Sequence, residues 1–182
     1  MDNRFVFTGG ETGPWQVVSW TVMTGPDIAR APRIGINPAA KSLDVSGAAF
    51  VLNGFTSNVR YAERSELTEL RARESQLGRP SAHCAAIIPI KKSDAWWQLS
   101  QDERRAIFEE TSHHTAIGLQ YLPAVARKLY HCRDIGEPFD FITWFEFNEA
   151  NAAQFDELVE RLRATREWTY IEREIDIRLM RD

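Results

Sequence analysis

The first part of the chain consists of short runs in which apolar and polar residues alternate loosely. Residues 5–8, 15–23 and 48–53 show this pattern, and glycine and proline residues stand between the runs. Alternation with a period of two is typical of strands that bury one face, so three strands are expected here. Residues 24–45 contain three prolines and no clear period, which predicts an irregular connection.

Two helices are indicated further along the chain. Residues 61–73 are highly charged but carry Leu67 and Leu70, which predicts a surface helix with these leucines inward. Ser100 and Glu103 form a capping-box pattern, so a second helix is expected to begin there and to continue toward Gly118. Beyond it, Pro123 is expected to interrupt the helix, before a short turn that carries residue 127.

The second half has the clearer order of elements. An apolar run at residues 84–91 predicts a buried strand, and further strands are expected at 129–133, 139–147 and 168–179, with an amphipathic helix at 149–165. The resulting order, βαββαβ, is that of the ferredoxin-like unit. We therefore expect an α+β protein in which residues 81–182 form one such half and residues 1–80 a truncated copy with reduced helices, in one compact unit.

Composition narrows the class of protein. The chain has 182 residues, 43% hydrophobic and 26% charged, which is typical of a soluble globular protein. A net charge of −4 favours neither nucleic acid nor an anionic membrane as a partner, and any anion site must be made locally. The amino terminus resembles no signal peptide, so a cytoplasmic protein is expected. Cys84 and Cys132 lie far apart and are expected to be buried, reduced thiols.

Adjacent histidines, His113 and His114, lie near the end of the expected second helix. On a continuous helix, steps of four and three residues place His114 on one stripe with Ile107, Thr111 and Gly118, which predicts that it faces the packed side. His113 would lie about 100° away. The absence of a side chain at Gly118 would leave room for a flat group. The alternative is a structural histidine in the core whose ring nitrogens are hydrogen-bonded within the protein.

Several other residues near this histidine suit a cofactor pocket that handles an anion. Trp96 and Trp97 precede the helix, and Arg127 follows it in an apolar context. Lys92 ends the apolar strand, and Glu167 stands where the last helix gives way to the last strand. A carboxylate on the outer nitrogen of a metal-bound imidazole makes that imidazole more basic. The alternatives are that Lys92 and Glu167 are solvated charges at element ends and that Arg127 is a surface arginine whose stem covers apolar residues. The tryptophans would then belong to the core.

Several long segments of the chain together form a recognisable pattern: KKSDAWW, DERRAIFEE, the following SHH, YLPAVARKLYHCRDIGEPFDFITWFE and EWTYIEREIDIRL. These segments resemble the short, dimeric branch of the chlorite dismutases. The resemblance is close from residue 86 to the carboxyl terminus, and looser before it through FTGG and SNVRY at residues 7–10 and 57–61. The resemblance implies a homodimer of α+β barrels, each built from two ferredoxin-like halves, with one non-covalent haem b per subunit in the second half.

Matched by position, the resemblance also implies roles for individual residues. His114 would be the proximal iron ligand, Glu167 would accept its outer N–H, and Lys92 would complete that network. Arg127 would be the mobile distal residue. The remaining residues expected around the haem are Trp97, Asn58, Arg60, Tyr61, Ile88 and Leu122. Glu74 departs from the amide often found near the distal arginine, and Gln76 is an alternative match for that position.

The activity implied is decomposition of chlorite to chloride and dioxygen, through a ferryl haem and a hypochlorite fragment that recombine. Peroxidase or coproporphyrin-haem decarboxylase chemistry is the nearest alternative, but such relatives are expected to lack a distal arginine in this context, so Arg127 favours chlorite. A haem-binding protein without turnover and a cofactor-free assembly module are alternatives of other classes. Bound haem would exclude the module, and oxygen release would exclude the non-catalytic protein.

Overall fold

A computed structural model describes residues 3–39, 44–56 and 61–181, and these residues form a closed antiparallel barrel of eight strands. The order around the barrel is β1-β3-β2-β8-β5-β7-β6-β4. The strands are β1 (Arg4–Gly10), β2 (Trp15–Thr24), β3 (Arg33–Pro38), β4 (Phe50–Phe55), β5 (Cys84–Lys92), β6 (Ala126–His131), β7 (Phe141–Phe147) and β8 (Ile171–Arg181). Mixed helix and strand structure was expected, and the barrel confirms the α+β class.

The helices lie mainly in the second half. They are α1 (Arg64–Arg73), α2 (Asp94–Gln98), α3 (Gln101–Arg105), a π-helical segment (Ala106–Thr111), α4 (His114–Gln120) and α5 (Ala152–Arg163). Short 3-10 turns occupy Arg133–Ile135, Glu149–Asn151 and Glu167–Tyr170. No helix among the described residues is long and apolar enough to cross a membrane.

The two halves of the barrel share one strand arrangement. In each half, the fourth strand pairs with the first, the first with the third and the third with the second, which is the ferredoxin-like order. The second half carries helices after β5 and β7, as the βαββαβ pattern predicts. In the first half, β1 and β2 are joined directly by residues 11–14, so the expected reduction of helices is seen at that connection.

Strand β5 is buried on both faces, and this explains its nearly continuous apolar sequence. Ile87 belongs to the cluster inside the barrel, whereas its neighbour Ile88 belongs to a second cluster on the outer face, because successive side chains of a strand point in opposite directions. The outer cluster is covered by α4 and α5. Phe155 of α5 is fully buried there and stacks on Phe147, with ring centroids 4.5 Å apart.

Strand β3 contradicts the irregular connection expected at residues 24–45. It pairs along its whole length with β1, and Ile34 is fully buried inside the barrel. Pro32 lies just before the strand and Pro38 ends it, so neither removes a hydrogen bond from the middle of the ladder. The prolines therefore mark the ends of a strand.

The expected continuous helix from Ser100 toward Gly118 is also wrong. The capping box of Ser100 and Glu103 is present, but α3 ends at Arg105 and a π-helical segment follows. His113 then adopts a left-handed conformation with φ of 53°, and α4 begins at His114. The single stripe from Ile107 to Gly118 does not exist, because the helical register changes between these residues.

Two more boundaries differ from the sequence prediction. Arg127 was expected in a turn before a strand at residue 129, but β6 already begins at Ala126 and pairs Arg127 with Phe145 of β7. Trp168 was expected in the last strand and lies instead in a 3-10 turn before Ile171. The prediction for the cysteines is confirmed, since both thiols are free and buried.

We predict that Phe155→Ala will lower the free energy of unfolding by about 3–5 kcal/mol, because it leaves a cavity between α5 and the sheet. Urea unfolding followed by circular dichroism measures this. Glu157→Ala, on the exposed side of the same helix, should change the value by no more than about 0.5 kcal/mol. Equal effects of the two substitutions would contradict the packing of α5 described above.

Candidate active site

A cavity of about 480 Å³ lies between the outer face of β5, β6 and β7 and the helices α1, α4 and α5. Its walls are largely apolar, with Ile88 and Phe145 on the sheet and Leu158 and Leu162 on α5. The two inward leucines expected on α1, Leu67 and Leu70, line it as well and are half-buried. A concave space with largely apolar walls is typical of a cofactor site.

Most of the residues singled out in the sequence meet in this cavity. Those that line it are Tyr61, Glu74, Ile88, Lys92, His114, Leu122, Arg127 and Glu167. Asn58 and Arg60 lie outside the described residues. Glu74 lines the cavity and Gln76 does not, so Glu74 is the residue placed near the arginine.

The tryptophan expected beside the cofactor is placed elsewhere. Trp97 is not among the lining residues; its Nε1 donates to Asp140 Oδ2 at 3.0 Å and its ring stacks on Phe141. Trp96 lines the cavity instead and is 1% exposed. Neighbouring residues on a helix point about 100° apart, so only one of the pair can face the cavity. Sequence alone could not choose between them.

Three charged or ionisable side chains form a buried chain on one side of the cavity. Lys92 Nζ donates to Glu167 Oε1 at 2.5 Å, and His114 Nδ1 lies 2.7 Å from Glu167 Oε2. Burial would raise the pKa of Glu167, but His114 and Lys92 outweigh it and bring that pKa down to about 2. Glu167 is therefore ionised, because two cationic or donor partners replace the water it has lost.

The local structure of the polypeptide around each of these residues explains its position. Lys92 is the last residue of β5, where a register shift against β8 occurs, and its backbone N–H donates to Asp140. Its ammonium group lies 3.5 Å from the ring centroid of Trp96. The backbone N–H of Glu167 donates to Ser112 Oγ at 2.9 Å, which ties the turn before β8 to the segment before α4. Ser112 was not singled out in the sequence.

The imidazole of His114 is held with one nitrogen available. An ionised Glu167 can only accept, so Nδ1 carries the proton, and in the neutral ring Nε2 then carries the lone pair. Nε2 has no hydrogen-bond partner among the described residues. The ring stacks on Phe108 with centroids 4.4 Å apart, which restricts its rotation. Phe108, like Ser112, shows its role only in the folded chain.

Arg127 brings a cation into the same cavity. It projects from β6 toward α4, where its Cζ lies 3.6 Å from the position that a Cβ would take at Gly118. No residue in the described part of the chain forms a hydrogen bond or ion pair with its guanidinium. Burial lowers the pKa of Arg127 and the charge of Glu74 raises it. An arginine stays protonated under such conditions, so the guanidinium is a half-buried cation that is free to bind an anion.

Known proteins match this chain over the region that contains the cavity residues. A family model described as chlorite dismutase matches residues 34–181. A dimeric chlorite dismutase from Nitrobacter winogradskyi is 53% identical, with a TM-score of 0.90 over 97% of this chain and 99% of that one. The chlorite dismutase of Candidatus Nitrospira defluvii in complex with imidazole is 32% identical, with a TM-score of 0.62 over 75% of this chain and 56% of that one.

A curated chlorite dismutase from Ideonella dechloratans is 41% identical over 68 residues, which is 37% of this chain. The matched segment spans only 22% of that longer protein. The family match, in contrast, covers most of the present chain, including β4 to β8 and every described residue of the cavity. The chain therefore belongs to the chlorite dismutase family.

Proposed function

We propose that this protein is a haem b enzyme that decomposes chlorite to chloride and dioxygen. The observation that carries the proposal is the guanidinium of Arg127, which pairs with no described residue and shares one largely apolar cavity with the Lys92–Glu167–His114 chain. A proton-bearing imidazole with a free nitrogen suits a metal ligand, and a half-buried cation without a partner suits an oxyanion. The two face the same space.

The residues present fit a haem. His114 Nε2 is available for iron, and Ile88, Leu122 and Leu158 offer apolar surface to a porphyrin ring. Trp96 Nε1 is a buried donor without a partner among the described residues, which suits an acceptor atom of a bound group. When bound, haem would supply a redox-active iron for the transfer of an oxygen atom from chlorite.

The buried chain would set the electron density of the ligand. Glu167 holds the Nδ1 proton of His114, and the pull of an ionised carboxylate on that proton makes Nε2 a stronger donor to a metal. Lys92 keeps Glu167 in position and neutralises its charge. A stronger donor favours the more oxidised states of a metal, which oxygen-atom transfer requires.

Arg127 would bind the anions of the reaction. A guanidinium in an apolar pocket attracts an oxyanion more strongly than one in water, because little solvent screens the pair. It binds chlorite on entry and retains the hypochlorite fragment until the O–O bond forms. Glu74 would restrain Arg127, because its charge acts on the guanidinium, and would also repel an incoming anion.

Oxygen release on addition of chlorite is the experiment that tests the proposal. A protein that binds haem but gives no oxygen would be a haem carrier or a peroxidase. A protein that binds no haem would be a cofactor-free assembly module. We also propose a homodimer, because the 53% identical relative is dimeric. Sedimentation of the purified protein would test that assembly.

Substitution of the two histidines should separate their roles. We expect His114→Ala to lose bound haem or its five-coordinate spectrum, because His114 is the histidine of the cavity that forms a hydrogen bond with Glu167. His113→Ala should keep both, since His113 is exposed and stands outside α4. Absorption spectra of the two purified variants decide this. An unchanged spectrum in haem-replete His114→Ala would refute the assignment.

Substitution of Glu167 should change the redox properties of the bound haem. We predict that Glu167→Gln keeps haem but raises its reduction potential, because a neutral amide draws the Nδ1 proton less strongly. It should also lower the free energy of unfolding by about 3–5 kcal/mol, because Lys92 is left buried without its counter-charge.

The neighbouring ion pair offers a matched control. Lys91 and Glu172 form a salt bridge of 2.5 Å at the surface, with each side chain more than two-fifths exposed. Glu172→Gln should leave the potential unchanged and lower stability by less than about 1 kcal/mol. Spectroelectrochemistry and urea unfolding give the two values. An unchanged potential in Glu167→Gln would remove Glu167 from the proximal network.

Substitution of Arg127 should expose its retaining role. We expect Arg127→Ala to turn over but to bleach its haem sooner than the wild type, because escaped hypochlorite attacks the porphyrin and the adjacent Trp96. Arg127→Lys should be intermediate, since it keeps the charge and loses the planar set of donors. Glu74→Val should bleach earlier than wild type, though later than Arg127→Ala, if Glu74 restrains the arginine.

Oxygen yield per haem, with and without methionine as a hypochlorite scavenger, measures this difference. Methionine should raise the yield of Arg127→Ala several-fold more than that of the wild type. Equal protection of both proteins would mean that Arg127 steers chlorite into the cavity and does not retain hypochlorite.

A further inference from the structure

The π-helical segment brings a buried carboxylate to the first turn of α4. Glu109 Oε2 accepts from the backbone N–H of Thr115 at 2.6 Å, and Oε1 accepts from that of Ala116 at 3.2 Å. These are the two amides that follow His114 in the chain. Glu109 is 8% exposed, which is unusual for a glutamate and indicates that its contacts hold it there.

The break between α3 and α4 makes this contact possible. In a continuous helix, the amide of Thr115 would bond to the carbonyl of Thr111, and the side chain of Glu109 would point along the helix surface. Here the left-handed conformation of His113 turns the chain, so α4 starts afresh with its amides free. The side chain of Glu109 extends across the break and accepts hydrogen bonds from two of these amides, as a capping residue does.

The same short segment is tied to Glu167 by a second contact. Ser112 Oγ accepts from the backbone N–H of Glu167, while Glu167 Oε2 accepts from Nδ1 of His114. His114 is thus held from two directions, through its imidazole by Glu167 and through its backbone by Glu109. A shift of the first turn of α4 would change the distance between Nδ1 and the carboxylate of Glu167.

We propose that Glu109 is a positioning residue for His114, which keeps the Nδ1–Glu167 hydrogen bond short by fixing the first turn of α4. The proposal rests on the assignment of His114 as the iron ligand only for its effect on the haem. Glu109 itself does not line the cavity. Its influence therefore passes through the backbone of α4 and through the imidazole.

The first test needs no haem. In the haem-free protein, the Nδ1 proton of His114 should give a far-downfield NMR signal that marks a short hydrogen bond to a carboxylate. Glu109→Ala should move this signal upfield and speed its exchange with water. Glu109→Gln should have a smaller effect, because the amide oxygen still accepts one backbone bond. Glu110→Ala removes a neighbouring exposed carboxylate and should leave the signal in place.

The second test uses the haem-loaded protein and a double-variant cycle. Glu109→Ala should raise the reduction potential, by less than Glu167→Gln does, and Glu110→Ala should not. In the Glu167→Gln background, Glu109→Ala should add almost nothing, because the hydrogen bond through which it acts has already been weakened.

The outcomes separate positioning from simple capping. If Glu109→Ala lowers the melting temperature while the Nδ1 proton signal and the potential stay unchanged, Glu109 is only a structural cap and the proposal is overturned. Fully additive shifts in potential would also overturn it. Failure of the protein to bind haem would refute the proposed function, whereas the NMR result would still decide the role of Glu109.

Discussion

The site depends on one buried, ionised carboxylate. Glu167 is 3% exposed, and an isolated charge at that depth would cost several kcal/mol or would be lost by protonation. Lys92 and His114 replace the water that Glu167 has given up. Because the three residues come from the end of β5, the start of α4 and the turn before β8, satisfying one charge fixes the relative positions of three elements.

The charged groups that line the cavity are arranged in two ways. Lys92, Glu167 and His114 compensate one another, which holds them in place and leaves one imidazole nitrogen available. Arg127 has no ion-pair partner among the described residues, although the charge of Glu74 acts on it. A net charge of −4 would otherwise repel an anion, so this local cation provides the attraction that the whole protein lacks. The apolar walls strengthen it by excluding water.

The π-helical segment shows how a local irregularity can serve a site. Without it, His114 would continue the helix that begins after Ser100, and its backbone would be fixed by that helix alone. The break separates α4 from α3 and allows Glu109 and Ser112 to connect α4 with the turn at Glu167. π-Helical turns within helices are often found at functional sites, and here the geometric reason is visible.

The sequence by itself determined the α+β class, the order of elements in the second half and the group of residues that meet in the cavity. Periodicity and capping residues carry that information, because they depend on near neighbours in the chain. The similarity of long motifs to one family placed four further residues in the same site, which periodicity alone could not have done: Glu74, Lys92, Arg127 and Glu167. The capping box at Ser100 follows from the same local rules.

Only the tertiary structure determined that residues 33–38 form a strand and that the helix breaks before His114. It also determined that Arg127 lies in a strand and that Trp96, not Trp97, lines the cavity. Each depends on a partner distant in the chain. β3 is a strand because β1 pairs with it, and Arg127 lies on a strand because β7 pairs with β6. Trp97 turns away because Asp140 accepts its N–H. Contacts between distant residues override local preference, since a buried group must find its partner wherever the fold places one.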